Sequence, residues 1–167
     1  MFIQPSKLPA RALAGIAVAS FASVAIALIA QHQFGVKPCP WCVMQRGIFL
    51  LIGALALIGL LLRGVARRGA LLLVAALAIA GVASAYYQHE VASLSFSCAQ
   101  TLADRVINAL GLEELWPYGF MVTGSCADAA SYRLLGLPYE VWSGLLYLLT
   151  LGAAFVAFKA STKGRRH

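Results

Sequence analysis

Cys39 and Cys42 stand three residues apart in the stretch GVKPCPWCVMQR, with Pro38 before the first and Pro40 after it. A Cys-x-x-Cys loop closes few residues, so its disulfide stabilises a fold less than a long-loop bridge would. The spacing suits exchange chemistry instead, in which the thiolate of one sulfur is stabilised and the other resolves it. The two prolines disfavour helix until the apolar run that begins at Val43, which puts Cys42 at or near a helix N-terminus. Unpaired N–H groups at that end, and Arg46 at i+4 on the same face, both favour a thiolate at Cys42. Cys42 is then the electron-donating sulfur, and Cys39, one step outward in extended chain, is its exchange partner. Arg46 also has a plainer reading, as a basic residue that snorkels to lipid headgroups. Against that, an ionisable residue just inside an apolar span is costly and commonly marks a site. His89 ends a later apolar window, and it joins the site if its helix packs beside the one that carries Arg46.

Two more cysteines, Cys98 and Cys126, are separated by 27 residues. Four cysteines allow three disulfide connectivities, and spacing does not choose among them. A c-type haem site needs histidine after the second cysteine, where Val43 stands. Structural zinc combines close ligand spacings on both sides, which the distant pair does not offer. No metal is expected. Redox exchange leads, with two inert structural disulfides as the open alternative.

These residues sit in a chain that is 61% hydrophobic and 11% charged, with a mean hydropathy of +0.82, far from the composition of a soluble domain. Four windows, 12–30, 43–62, 69–87 and 141–158, approach the ~20 residues needed to cross the hydrocarbon layer. In lipid such spans must be helices, because backbone groups find no outside partners. The expectation is an all-α membrane protein: a four-transmembrane-helix bundle forming a single membrane domain over 1–167. The first window could instead be a secretory signal, with Ala25-Ile26-Ala27 as a cleavage-like site, but its length exceeds the usual apolar core of a signal.

The net charge of +7 is not a nucleic-acid footprint, because the charges are sorted by side. The N-terminal segment, the 63–68 loop and the C-terminal tail hold nine of the 13 basic residues, whereas loops 31–42 and 88–140 hold all six acidic ones. By the positive-inside rule both termini are cytoplasmic and the acidic loops face outward. All four cysteines and all three tryptophans, Trp41, Trp116 and Trp142, lie on that outward side, the tryptophans near span ends as interfacial anchors commonly do. Disulfides persist in that compartment, the periplasm of a bacterial cell. Within loop 88–140, Leu102, Val106, Ala109 and Leu110 share one helical face, which suggests a short interfacial helix ended by Gly111. Trp116-Pro117-Tyr118-Gly119 and Gly124-Ser125 read as turns.

The run Cys39-Pro40-Trp41-Cys42-Val43-Met44-Gln45-Arg46 resembles the Cys-x-x-Cys-x-x-x-Arg signature of the disulfide bond formation protein B (DsbB) family. The likeness extends over nearly the whole chain: four spans, Tyr87-Gln88-His89 closing the third, a second cysteine pair, and Gly136-Leu137 leading to Trp142. One departure is Pro138, which stands earlier relative to Trp142 than in the family pattern. The resemblance implies a bacterial inner-membrane oxidoreductase that reoxidises the periplasmic thiol oxidase DsbA and passes two electrons to a membrane quinone. It further implies that Cys98 forms the mixed disulfide with the partner and pairs with Cys126 at rest. Electrons then move to Cys39 and Cys42, with Cys42 facing the quinone and Arg46 and His89 stabilising the reduced form. The acceptor that the resemblance implies is ubiquinone or menaquinone.

Two alternatives differ in kind. A small four-helix transporter or binding protein would use the cysteines only as staples, but it should carry ionisable or helix-breaking groups near mid-membrane, and these spans have no central charge. The vitamin K epoxide reductase type also joins a Cys-x-x-Cys to a helical bundle, but places its loop pair before that motif, the reverse of the order in this chain.

Overall fold

A computed structural model describes residues 7–94 and 101–163. Four long helices dominate: α1 (Leu8–Phe34), α2 (Pro40–Leu61), α3 (Gly64–Glu90) and, after the outward excursion, the last helix over Tyr139–Lys163. All four are long and apolar enough to cross a membrane. At 1.5 Å per residue, the 27 residues of α1 span roughly 40 Å, more than the hydrocarbon layer requires.

Between α3 and the last helix come a 3₁₀ turn (Ala92–Leu94), α4 (Leu102–Ala109), α5 (Leu112–Leu115), α6 (Pro117–Phe120) and α7 (Cys126–Ser131). A two-stranded antiparallel hairpin, β1 (Arg133–Leu134) and β2 (Leu137–Pro138), follows, and the helix over Tyr139–Lys163 is α8. The hairpin turns at Leu135-Gly136, both at positive φ, and Pro138 is on its last strand. The Trp142 indole N–H donates to the Leu134 carbonyl at 2.9 Å, so the hairpin is fastened to the first turn of α8 and sets the chain's path into it.

The long helices close into a ring in which α1 packs on α2, α2 on α3, α3 on α8 and α8 on α1. Their shared core is built from Leu13, Ile16, Ala17 and Val24 of α1, Phe49, Ile52 and Ala56 of α2, Leu71, Val74 and Ala78 of α3, and Tyr147, Ala154 and Ala157 of α8. The first window therefore contributes fully to the bundle. Alanine and glycine at these contacts let the backbones approach closely, which is how helices associate where apolar burial gives no drive. The outer faces carry Val18, Ile26, Leu72, Ile79 and Leu149, all exposed, as a lipid-facing surface requires.

A helix does form at 102–109, capped by the Thr101 hydroxyl, which accepts from the Asp104 N–H. Its buried face is Ala103 and Ile107, which pack toward α2, whereas Leu102 and Leu110 are exposed. The apolar face expected from periodicity thus points away from the protein, because small Ala103 permits the closer approach. The stretch at 116–119 forms a one-turn helix, α6, rather than an open turn. Trp41 departs from the expected anchor role: it is buried among the cysteines with its ring 4.7 Å from that of Tyr87, because its place in the first turn of α2 directs it inward.

Candidate functional site

The start of α2 is built by the motif itself. Cys39 is the N-cap, in extended conformation, and Pro40 occupies the first helical position, where its missing N–H costs nothing. Cys42 follows in the first turn, and its N–H donates to the Cys39 sulfur at 3.4 Å. The sulfurs are unbonded and 3.0 Å apart, so closing a disulfide at about 2.05 Å requires a movement of only ~1 Å. The hydrogen bond with Cys42, and then burial, hold the Cys39 thiol well above its usual range.

Cys42 is met by a chain of buried amides. Gln88 of α3 donates from Nε2 to the Cys42 sulfur at 3.2 Å. Its own Oε1 accepts from Gln45 Nε2 at 2.8 Å. The Tyr147 hydroxyl of α8 donates to the Gln45 carbonyl at 2.9 Å, and its ring stacks on Phe49 at 4.1 Å. Arg46, only 6% exposed, donates to Gln31 Oε1 at 2.5 Å and to the Gly119 carbonyl at 3.0 Å. Its guanidinium is turned inward, bridging α1 and α6 rather than reaching the surface.

A cavity of about 710 Å³ opens between α1, α2 and α8, with Cys42, Gln45, Arg46, Gln88 and Glu140 among its polar lining. Val24, Ala27, Phe49, Leu145 and Leu149 line the rest. This is the shape of a ligand site: mostly apolar walls with a few convergent polar groups. His89 is not part of that lining. It is half-exposed, and its Nδ1 lies 3.3 Å from Oε1 of buried Glu140, so it touches the cavity wall only through that carboxyl.

The outward loops meet at one carbonyl. The N–H groups of Thr123 and Gly124 both donate to Pro38 O, each at 3.1 Å. A Cβ on Gly124 would stand 2.8 Å from both Cβ and O of Lys37, so only glycine allows this approach. Next to it Ser125 and Asp128 form a capping box that starts α7. The Ser125 hydroxyl and N–H, which donate to the Asp128 carboxylate, lower its pKa below the usual carboxylate value. Cys126 is fully buried, disulfide-bonded, and shares one apolar cluster with Cys39, Trp41, Ala92, Ala103 and Ala129, against which Cys42 packs. Cys98 lies outside the described residues.

Of the six residues singled out from sequence, the structure therefore groups Cys39, Cys42, Arg46 and Cys126 around the outward end of α2 and sets His89 beside them at one remove. Gln31, Gln45, Gln88, Tyr147 and Glu140 were not singled out. The amides had a readable signal, since polar side chains inside apolar windows are costly unless partnered, but which partners they reach depends on helix rotation.

A family model described as "Disulfide bond formation protein DsbB" matches residues 9–157. Several curated proteins are similar over most of their length. Disulfide bond formation protein B of Cupriavidus metallidurans is 34% identical over 139 residues, covering 81% of this chain and 83% of the relative. That of Dechloromonas aromatica is 32% identical over 160 residues, covering 92% and 94%. Disulfide bond formation protein B 1 of Pseudomonas fluorescens is 33% identical over 144 residues, 84% of each.

Proposed function

The chain belongs to the disulfide bond formation protein B family, and from that premise we propose that it reoxidises a periplasmic DsbA-type thiol oxidase and delivers the electrons to a membrane quinone. As a member it is a multi-pass membrane protein and a disulfide oxidoreductase. The observation that carries the finer reading is the placement of Cys42: one sulfur touches both its redox partner Cys39 and a 710 Å³ apolar cavity. The charge sorting along the chain supports cytoplasmic termini and cysteine loops in the periplasm.

In this reading the partner's thiolate attacks Cys98 and breaks the Cys98–Cys126 bond. The released Cys126 thiolate attacks the Cys39–Cys42 disulfide at Cys39, beside which it is buried, and Cys42 leaves as the thiolate. The second partner thiol resolves the mixed disulfide, and Cys98 resolves the interloop bond with Cys39. Two electrons now reside on Cys39 and Cys42. The amide of Gln88 and the start of α2 stabilise the Cys42 anion, and Arg46 supplies a positive charge on the same cavity wall.

The residues present fit a quinone. Its flat ring and isoprenoid tail require apolar walls, and its two carbonyl oxygens require donors, which Arg46, Gln45 and Gln88 can offer. A bound quinone supplies an acceptor for two electrons and two protons, strong enough to draw electrons from an already oxidising partner.

The test combines purified protein, a reduced DsbA-type partner and ubiquinone or menaquinone, and follows quinone absorbance. Wild type should reduce one of them and Cys42→Ser should not. Failure of wild type with both quinones, or undiminished reduction by Cys42→Ser, would refute the reading.

A further inference from the structure

Glu140 is the one acidic side chain among the described residues that is buried, at 3% exposure. Its Oε2 has no hydrogen-bond partner, and its Oε1 lies 3.3 Å from His89 Nδ1. Burying a carboxyl with one oxygen unsatisfied costs free energy, and an ionisable group just inside a membrane span is a functional candidate for that reason. Glu140 lines the same cavity as Cys42, while the imidazole beside it is 48% exposed. Glu90, next to His89 in sequence, is exposed as well, so the end of α3 presents polar side chains at the surface. The pair therefore runs from water, through one imidazole, to a carboxyl on the cavity wall.

We propose that Glu140 is the proton donor of this site, recharged from the outward aqueous face through His89. The inference rests on the quinone reading above. Electrons and protons balance without a further reagent. Formation of the Cys39–Cys42 bond from one thiol and one thiolate releases two electrons and one proton, and the second proton has already left the partner's dithiol during exchange. Reduction of a quinone consumes two electrons and two protons, here in a cavity whose walls are mostly apolar. Glu140 delivers each proton to an acceptor oxygen, and after each delivery His89 returns one to it from outside. The other titratable or charged groups on the cavity wall are Lys37, Cys42, Arg46 and Tyr139. Arg46 is held by Gln31 and Gly119, and the sulfur of Cys42 gives electrons, which leaves Glu140 as the carboxylic acid of the set.

Two measurements test this. In steady-state turnover with the partner and quinone, Glu140→Gln should lower kcat at least tenfold with the quinone KM changed less than threefold, and should flatten the pH profile; Glu140→Asp should recover part of kcat. General acids are commonly worth 10²- to 10⁴-fold. Infrared titration of quinone-free protein should contain a carboxyl band that responds to bulk pH, disappears in Glu140→Gln and shifts its titration in His89→Gln. Partner oxidation by the protein's own disulfides, in one turnover without quinone, should be unchanged in Glu140→Gln; it tests folding and thiol exchange independently. Wild-type turnover by Glu140→Gln, a raised KM with unchanged kcat, or a carboxyl band blind to bulk pH would each overturn the proposal. If quinone is not reduced by wild type, the underlying function fails first, and the proposal falls with it.

Discussion

Gly124→Ala isolates the contact that joins the two outward loops. The new methyl would stand 2.8 Å from Lys37 Cβ and Lys37 O, where carbon contacts are comfortable only at about 3.5–4.0 Å. One of those neighbours is backbone, so relief requires the loops to part by roughly 1 Å. That separation breaks the two hydrogen bonds to Pro38 O, each worth about 0.5–1.5 kcal/mol net. The shared apolar cluster of Cys39 and Cys126 loses its tether by the same amount, about 1–3 kcal/mol in total. At 1.4 kcal/mol per tenfold, exchange between the loops should slow by about 5- to 150-fold. The assay uses a protein retaining only Cys39 and Cys126, made with Cys42→Ser and Cys98→Ser, and follows formation of the interloop disulfide under catalysed oxidation. Gly152→Ala, where a Cβ meets nothing within 4 Å, is the control and should cross-link at the parent rate. An unchanged rate in Gly124→Ala, or a parent that never cross-links, would show that the loops are not held together as argued.

Arg46→Met should weaken quinone binding by about 10- to 150-fold, from the 1.5–3 kcal/mol typical of hydrogen bonds to a charged group, with Arg46→Lys intermediate because it restores charge without the planar fork; equal quinone titrations for all three proteins would remove Arg46 from the site. Gly81→Ala would put a methyl inside the ring of Tyr147, displacing the phenol from the Gln45 carbonyl. Overpacking of this kind costs about 1–3 kcal/mol, so thermal unfolding in detergent should fall by several degrees, whereas Gly15→Ala, whose Cβ meets nothing, should leave it in place.

Four helices, their approximate spans and the exchange motif were all legible in the chain, because each rests on local facts: the length of an apolar run, the sorting of charge between alternate loops, and proline ahead of a helix start. The prolines placed Cys42 near a helix N-terminus, but helix was expected only from Val43, whereas Pro40 itself opens α2 at the first position, where proline is tolerated, and Cys39 caps it. The apolar stripe Leu102–Leu110 and its helix were visible in the periodicity; that another face, Ala103 and Ile107, packs toward α2 was not, since close approach selects small side chains over large ones. Trp41 had the composition of a membrane anchor, yet it is buried among the sulfurs. Arg46 admitted two readings until its partners Gln31 and Gly119 were placed. Gln88, Gln45, Tyr147 and Glu140 acquire meaning only from the rotation of α2, α3 and α8 about their axes. Hydropathy along a span does not encode that rotation, because a helix apolar on every side has no strong moment to reveal which face turns inward. Packing of alanines and glycines in the ring sets it, and with it the atoms that surround the Cys42 sulfur.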